Sequence, residues 1–536
     1  MLKKLSFLFL LLIGALPQVQ GQLVTGKDVA VTDTDRGQVR GYIHNGIYTY
    51  KGIPYGQAKR FATATKPEPW EGVRSSMTYG PVAPLLTPTT MVQDESEFVF
   101  DHDWGYTSEN CLVLNVWTPA IKDGKKRPVM FWIHGGGFTS GSSQELPSYD
   151  GENLATAGDV VVVSINHRLN VLGFLDLSAY GPEFATSANN SILDMRLALE
   201  WVRDNIENFG GDPGNVTIFG QSGGGAKVNT LMAMPSAEGL FHKAINLSGA
   251  FRSDMPTKAL TQRLAAETLK ELGLTAAEAG KLQELPFPEL SAASSRALAT
   301  INKELKESGK DTGVFGLGWG PSVDGEVLPY QPYSAEATKL CAKIPLMIGT
   351  VKNEFQPFFL GPLAQGSEEE VMAYIKKTHG DRADAFIAAV KAAYPETTNP
   401  QDLINVDNVF RPGAVRQANL HSSAPGAAPV YAYLFTWSSP VLDGKYKSLH
   451  CMDLPFVFDN IDRCKNMTGG GEAAHLLADR MSKAWINFAR TGNPNHKGIP
   501  QWPAYDQDKG ATMMMDTKWS VRNHPDAALL KFYAEK

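Results

Sequence analysis

Cysteine is scarce in this chain, with Cys111, Cys341, Cys451 and Cys464 as its four copies in 536 residues. So few cysteines cannot form a disulfide scaffold over such a length, so a hydrophobic core must stabilise the fold. Cys451 and Cys464 are close enough in sequence to close a small loop, but spacing alone does not establish the Cα separation that a disulfide requires. No cysteine or histidine spacing is typical of zinc ligands. The sequence implies neither a metal nor an organic cofactor.

An excess of charge of one sign is also lacking. The chain has 50 Lys and Arg residues against 56 Asp and Glu residues, a formal net charge of -6, and no basic block that would track phosphates. Nucleic acid is therefore excluded as a partner. The content of 43% hydrophobic and 20% charged residues is typical of a globular protein.

Long hydrophobic runs are missing except near the start, in the segment MLKKLSFLFLLLIGALPQVQG. Two lysines precede an apolar stretch over residues 5–16, and Val19 and Gly21 have the spacing that signal peptidase favours. We expect residues 1–21 to be a signal peptide, and the protein to be periplasmic or secreted. The alternative, a membrane anchor, needs roughly 20 apolar residues. We expect no membrane span in the mature chain.

Short apolar runs alternate with helical patterns through the rest of the chain. In residues 192–206, Ile192, Met195, Leu199 and Val202 recur at helical spacing. This alternation predicts an α/β fold with a mostly parallel central sheet flanked by helices. Residues 255–310 are rich in Ala, Leu, Glu and Lys, which predicts a helical insertion outside the sheet. Because no linker divides residues 22–536, we interpret them as one domain. The predicted strands are residues 129–133, 160–165, 216–219, 244–247, 345–348 and 430–435.

A glycine-flanked serine follows one of these strands, in the segment IFGQSGGGAKV. Gly220, Ser222 and Gly224 fill the pattern Gly-x-Ser-x-Gly, which is typical of a nucleophile held on a sharp turn between a strand and a helix. The glycines leave room for the turn, and the positive end of the helix favours developing negative charge. The alternative interpretation is an ordinary flexible turn.

A second glycine cluster, in the segment FWIHGGGFTSG, follows the strand at residues 129–133. Backbone amides that no side chain obstructs can bind an oxyanion, as acyl transfer requires. We expect Gly136 and Gly137 to supply two such amides and Gly223 a third. His134 is interpreted as structural.

A nucleophilic serine needs a histidine base and an orienting carboxylate, which follow it in the order acid then histidine in a sheet of this type. His450 lies in a loop after the strand at residues 430–435, and the alternative is a surface histidine. Glu354 comes just after the strand at residues 345–348. Asp324 is the competing acid, although its Asp-Gly pair predicts a turn.

Together these segments resemble the type-B carboxylesterase family of α/β-hydrolases, which includes cholinesterases and bacterial para-nitrobenzyl esterases. The resemblance also covers YKGIPYGQ, SENCLVLNVWTP, NHRLNVLGFL, NFGGDPGNVTIFGQSGGG, GTVKNEF and HCMDLPFVF, and so nearly the whole mature chain. It implies a serine hydrolase that cleaves small-molecule carboxylic esters through an acyl-enzyme. The implied residues are Ser222 as nucleophile, Glu354 as acid, His450 as base, and Gly136, Gly137 and Gly223 as the oxyanion hole.

The chain departs from the family pattern at a few positions. Gln221 stands where the family usually has Glu, and Gly223 where Ala is common, but neither change removes a backbone amide. Cys111 matches a family disulfide cysteine yet has no upstream partner, so we expect a buried free thiol. Phe138, beside the glycine cluster, resembles a substrate-contacting aromatic, as do Phe358 and Phe359, for which core packing is an equal alternative.

Two other functions remain open from sequence. One is a binding or adhesion protein on the same scaffold, which the complete set of catalytic residue types disfavours. The other is a peptidase or an interfacial lipase. For the esterase, activity should fall below the ordinary histidine pKa of roughly 6.5, because the base must be neutral.

Overall fold

The computed structural model describes residues 22–85, 94–251, 254–310, 313 and 315–535. The predicted signal peptide, residues 1–21, lies outside the described residues. Within the described residues the chain forms fifteen strands and seventeen α-helices. The strands are β1 (Leu23–Val24), β2 (Val31–Thr34), β3 (Gly37–Arg40), β4 (Tyr42–His44), β5 (Ile47–Pro54), β6 (Val73–Ser75), β7 (Val113–Thr118), β8 (Arg127–Ile133), β9 (Val161–Ile165), β10 (Gly211–Gln221), β11 (Lys243–Leu247), β12 (Leu346–Val351), β13 (Val430–Phe435), β14 (Ala511–Met515) and β15 (Ser520–Asn523). The helices are α1 (Asp94–Phe100), α2 (Glu152–Gly158), α3 (Asn170–Phe174), α4 (Asn190–Asn205), α5 (Gly223–Met232), α6 (Lys258–Glu271), α7 (Phe287–Glu307), α8 (Ala335–Cys341), α9 (Gln356–Leu360), α10 (Glu368–His379), α11 (Ala383–Ala393), α12 (Pro400–Ile404), α13 (Phe410–Ser422), α14 (Leu454–Val457), α15 (Lys465–Thr468), α16 (Glu472–Thr491) and α17 (Ala527–Ala534).

Twelve of the strands form one sheet in the order β1-β4-β5-β7-β9-β8-β10-β11-β12-β13-β14-β15. The pairs from β9 to β14 are all parallel, while the pairs at both edges are antiparallel. β2, β3 and β6 form a separate small sheet. The six strands predicted from apolar runs are all central members of the large sheet, which confirms the mostly parallel architecture.

The strand order reverses at β8, because the chain runs from β8 to β9 on one side and then returns to β10 on the other. A crevice opens at such a point outside the carboxyl ends of the strands, and ligands bind there in open α/β sheets. The register pairs Ile133 with Gly220, Gln221 with Leu247, and Leu247 with Gly349, so the ends of β8, β10, β11 and β12 meet at one edge.

The core lies on both faces of the sheet, since successive strand residues point to opposite sides. Val129, Phe131 and Ile133 of β8 pack in the cluster that includes α4 to α7, whereas Met130 and Trp132 pack in the cluster that includes α2 and α16. Strands buried on both faces explain why the sequence shows continuous apolar runs rather than alternation.

The helical insertion predicted over residues 255–310 consists mainly of α6 and α7. The two helices pack on each other and on the first face of the sheet through the same hydrophobic cluster. No helix in the described part of the chain combines the length and hydropathy needed to cross a membrane.

Candidate active site

Ser222 lies on the sharp turn between β10 and α5. Its backbone has φ 58° and ψ -125°, a strained conformation for a non-glycine residue. The amide of Ser222 donates to the carbonyl of Leu247 at 2.8 Å, which holds the turn against β11. A Cβ atom at Gly220 or Gly224 would overlap the carbonyl oxygen of Ile133. Glycine is therefore required on both sides of the serine for the turn to close.

The second glycine cluster packs directly against this turn. Gly136 and Gly137 have φ values of 76° and 61°, the left-handed region that glycine adopts without strain. The Cα atoms of Gly137 and Gly223 are so close that a Cβ at Gly223 would overlap the backbone of Gly137. Among the described residues, the amides of these three glycines donate to no protein group. In the described part of the chain, three backbone N–H groups without a protein acceptor thus lie on the serine turn and on the loop packed against it.

Glu354 and His450 meet at the same edge of the sheet. Nδ1 of His450 contacts Oε2 of Glu354, and the His450 amide donates to the Glu354 carbonyl at 3.1 Å. Both side chains are buried. The residues are 96 positions apart, but the strands that precede them, β12 and β13, are neighbours.

Ser248 holds the other side of the carboxyl group, a role that sequence reasoning missed. Its hydroxyl donates to Oε1 of Glu354 at 2.6 Å, and the Val351 amide donates to the same oxygen at 3.1 Å. The available signal was a serine directly after the strand at residues 244–247, within INLSGA.

The electrostatics of the pair favour a neutral imidazole. Burial lowers the pKa of His450 to about 4, so the ring is unprotonated and able to accept a proton near neutral pH. Burial raises the pKa of Glu354 to about 8, and the hydrogen bonds from Ser248 and Val351 oppose that rise. With the histidine N–H, three donors converge on the carboxyl oxygens, so that negative charge formed there is hydrogen-bonded.

Gln221 connects the serine turn to the histidine. Its amide nitrogen lies 3.1 Å from Nε2 of His450, and its oxygen accepts from the Cys451 thiol at 3.2 Å. Because Gln221 directly precedes Ser222, this contact places the turn and the imidazole side by side.

All four cysteines lie in the described part of the chain and are free, so Cys451 and Cys464 form no disulfide and Cys111 is a buried thiol.

Aromatic rings pack against the imidazole of His450. The ring of Phe355 lies 4.1 Å from the imidazole and that of Phe410 lies 5.0 Å away, centroid to centroid. Ring contacts extend from this pair toward the surface, where Phe315 and Phe359 are 44% and 57% exposed. We call the whole group the phenylalanine cluster: Phe251, Phe315, Phe355, Phe358, Phe359 and Phe410.

Phe138, predicted to contact substrate, is 1% exposed and packs edge to face on Phe174 at 5.4 Å. Its ring belongs to the core in this structure, and its substrate contact stays a prediction.

Asp324, the competing acid, accepts hydrogen bonds from the amides of its own turn and from Asn189. His134 is buried and stacked on His167 at 4.8 Å, consistent with a structural residue.

Comparison with known proteins places this geometry in a family. The family model for the carboxylesterase family matches residues 28–533. The para-nitrobenzyl esterase of Bacillus subtilis (strain 168) is 35% identical over 508 residues, covering 93% of this chain and 97% of that protein. Phenmedipham hydrolase of Pseudarthrobacter oxydans is 32% identical, covering 90% and 94%. The solved structure of a Clostridium hathewayi esterase that hydrolyses aliphatic aromatic polyesters aligns with a TM-score of 0.85 at 39% identity, covering 96% and 99%.

The fold and the site define a hydrolase of the α/β-hydrolase fold. The chain belongs to the carboxylesterase family, which confirms the resemblance seen in the sequence. It is a serine hydrolase of carboxylic esters. Within the described residues, no group of three or more His, Cys, Asp or Glu side chains is arranged to hold a metal ion.

Proposed function

We propose that the chain hydrolyses esters through an acyl-enzyme formed on Ser222. His450 takes the proton from the Ser222 hydroxyl as its oxygen attacks the ester carbonyl carbon, and the carbonyl π electrons move onto oxygen. The amides of Gly136, Gly137 and Gly223 bind the resulting oxyanion. Its collapse expels the alcohol, which takes the proton from His450. Water, deprotonated by the same imidazole, then attacks the acyl carbon, and collapse of this second oxyanion releases the acid while the Ser222 oxygen takes the proton back from His450.

Glu354 is the orienting acid in this proposal. Its carboxylate accepts the N–H at Nδ1 of His450, which fixes the tautomer with a basic Nε2 and stabilises the imidazolium that forms in each step. The observation that carries the proposal is the buried contact between Glu354 and His450. It lies at the edge where the strained serine turn is found, together with three glycine amides that have no protein acceptor among the described residues.

Replacement of the nucleophile tests this mechanism. Ser222→Ala should reduce kcat for para-nitrophenyl acetate by at least 10⁴-fold, because the covalent route is lost while the oxyanion site remains. Ser294→Ala, which removes a buried hydroxyl that donates to the Ser291 carbonyl within α7, serves as the matched control and should retain full activity. Turnover by the purified Ser222→Ala variant above one per cent of wild type would refute the assignment.

We further propose that the preferred substrates are esters with an aromatic group. The phenylalanine cluster runs from the surface to His450, and rings in contact gain about 0.5–1.5 kcal/mol beyond simple burial. The Clostridium hathewayi esterase acts on aliphatic aromatic polyesters, which supports the same class for this chain.

The ratio of kcat/KM for para-nitrophenyl benzoate over acetate measures this preference. Phe359→Ser or Phe315→Ser should each lower the ratio by about 2- to 10-fold, since one ring contact is lost. Tyr374→Ser removes a similarly exposed aromatic from α10 and should leave the ratio unchanged. An unchanged ratio in both Phe variants would remove the support for an aromatic substrate.

We also propose export to the periplasm or medium, with cleavage after Gly21. The support is the sequence of residues 1–21 alone, with two lysines, an apolar stretch and small residues before the cleavage point. N-terminal mass spectrometry of the protein from its native host should find Gln22 as the first residue. Material that begins at Met1 outside the cytoplasm would contradict cleavage.

A further inference from the structure

Lys227 is a fully buried lysine in α5, the helix that begins directly after the serine turn. Its ammonium group forms no salt bridge with any carboxylate in the described part of the chain. Instead Nζ donates to two backbone carbonyls, those of His134 at 2.9 Å and Gly135 at 3.2 Å. A buried cation without a carboxylate partner is costly, and an apolar side chain would pack there without that cost.

The two carbonyls belong to the loop that carries the glycine amides. The chain contains no cis peptide bond in its described part, so the C=O of Gly135 and the N–H of Gly136 point in opposite directions across one planar peptide group. Nδ1 of His134 also lies 3.1 Å from the Gly135 oxygen. Lys227 holds the oxygen of this peptide group on one side. The Gly136 amide must therefore point to the other side, away from the Lys227 side chain.

Three titratable side chains lie near Lys227 in this part of the core: His134, His167 and Glu145. His134 and His167 stack beside it, and burial together with Lys227 lowers the pKa of both rings, which keeps them neutral. Burial lowers the pKa of Lys227 itself to about 7, against a raising effect from Glu145. The pKa of Glu145 is raised by burial, also to about 7.

We propose that Lys227 is a positioning residue for ester hydrolysis, which fixes the Gly135–Gly136 peptide and polarises its N–H toward the oxyanion of the tetrahedral intermediate. The inference rests on the proposed function, because it needs Gly136 to be an oxyanion donor. A hydrogen bond to the carbonyl end of a peptide strengthens the donor at its other end, since hydrogen bonds in a chain polarise one another. The benefit arises only when negative charge develops on the substrate oxygen, so it acts on kcat rather than on substrate binding.

Lys227→Met tests the proposal, since methionine fills a similar volume without a donor. The control is Lys243→Met, because Lys243 is also a buried lysine and its ammonium group donates to Asn215. Lys243 begins β11, so it lies at the edge of the sheet opposite to the serine turn. The measurements are kcat and KM for para-nitrophenyl acetate, the inhibition constant of phenylboronic acid as a tetrahedral adduct former, and the melting temperature. Lys227→Gln, which keeps a neutral donor, is the second variant.

We expect Lys227→Met to lower kcat by about 10- to 100-fold, with KM within about twofold of wild type, because losing a whole oxyanion donor costs about 10²–10³. Phenylboronic acid should bind more weakly by a similar factor, and Lys227→Gln should recover part of kcat. Lys243→Met should change neither quantity. A folded Lys227→Met variant with wild-type kcat, a Lys227→Gln variant no more active than Lys227→Met, or a loss of kcat with unchanged boronate affinity would overturn the proposal. Activity in Ser222→Ala would instead overturn the proposed function itself, so the two failures are distinguishable.

Discussion

Gly223 and Gly137 approach each other closely in the site, and this contact gives a prediction for alanine, the residue that is common at position 223 in the family. A Cβ added at Gly223 would lie well inside 3.0 Å of the nitrogen, Cα and carbonyl oxygen of Gly137, a separation that real Cβ atoms do not show. The serine turn cannot simply retreat, because the Ser222 amide is bonded to Leu247 at 2.8 Å. Gly223→Ala must therefore displace Gly137 by about 1 Å, and a misplacement of that size can cost about 10²-fold in rate.

Steady-state kinetics with para-nitrophenyl acetate measure this effect. We expect kcat of Gly223→Ala to fall by about 30- to 100-fold with little change in KM, because the amide of Gly137 is displaced from the oxyanion rather than removed. Gly280→Ala is the control, since a Cβ at Gly280 meets no atom within 4 Å. A Gly223→Ala enzyme with kcat within threefold of wild type would show that the glycine contact does not set the geometry.

Three further predictions concern the acid–base pair and the core. The base acts when neutral and burial lowers its pKa, so kcat/KM should stay flat through pH 6.5 and fall only at lower pH, as His450 becomes protonated; a midpoint above 6.5 in the pH profile would contradict this. Ser248→Ala should reduce kcat about 10-fold and leave the melting temperature nearly unchanged, because the carboxyl of Glu354 loses a charge-assisted hydrogen bond. Arg168→Met should destabilise the fold by about 3–5 kcal/mol in urea unfolding, because it leaves the buried carboxylate of Asp194 without its positive partner. A loss of stability under 1 kcal/mol would contradict this prediction.

The central sheet was predictable because its strands are buried on both faces and so appear as uninterrupted apolar runs. The run at residues 430–435 coincides with β13, and the run at residues 216–219 lies inside β10. The meeting of the proposed acid and base was predictable for a related reason. Glu354 and His450 each follow a buried strand, and adjacent parallel strands bring their carboxyl ends to one edge.

Four of the six rings of the phenylalanine cluster were not predictable, because they come from loops and helix starts with no periodic pattern, whereas Phe358 and Phe359 were expected from the resemblance to the family. Phe410 begins α13 and reaches His450 only through the course of the preceding loop. Phe138 packs on Phe174, and its substrate contact stays a prediction. Lys227 carried no signal either, since a lysine inside a helix normally indicates a solvent-exposed face. Its burial follows from the close packing of α5 on the glycine loop.

The most direct test of the central claim is to map the site of covalent labelling by an organophosphate such as paraoxon. We expect one diethylphosphoryl group per chain, on the peptide that contains Ser222, with loss of activity in proportion to labelling and no label on Ser222→Ala. Stoichiometric label on a different residue, or full ester turnover by the enzyme labelled at Ser222, would contradict it.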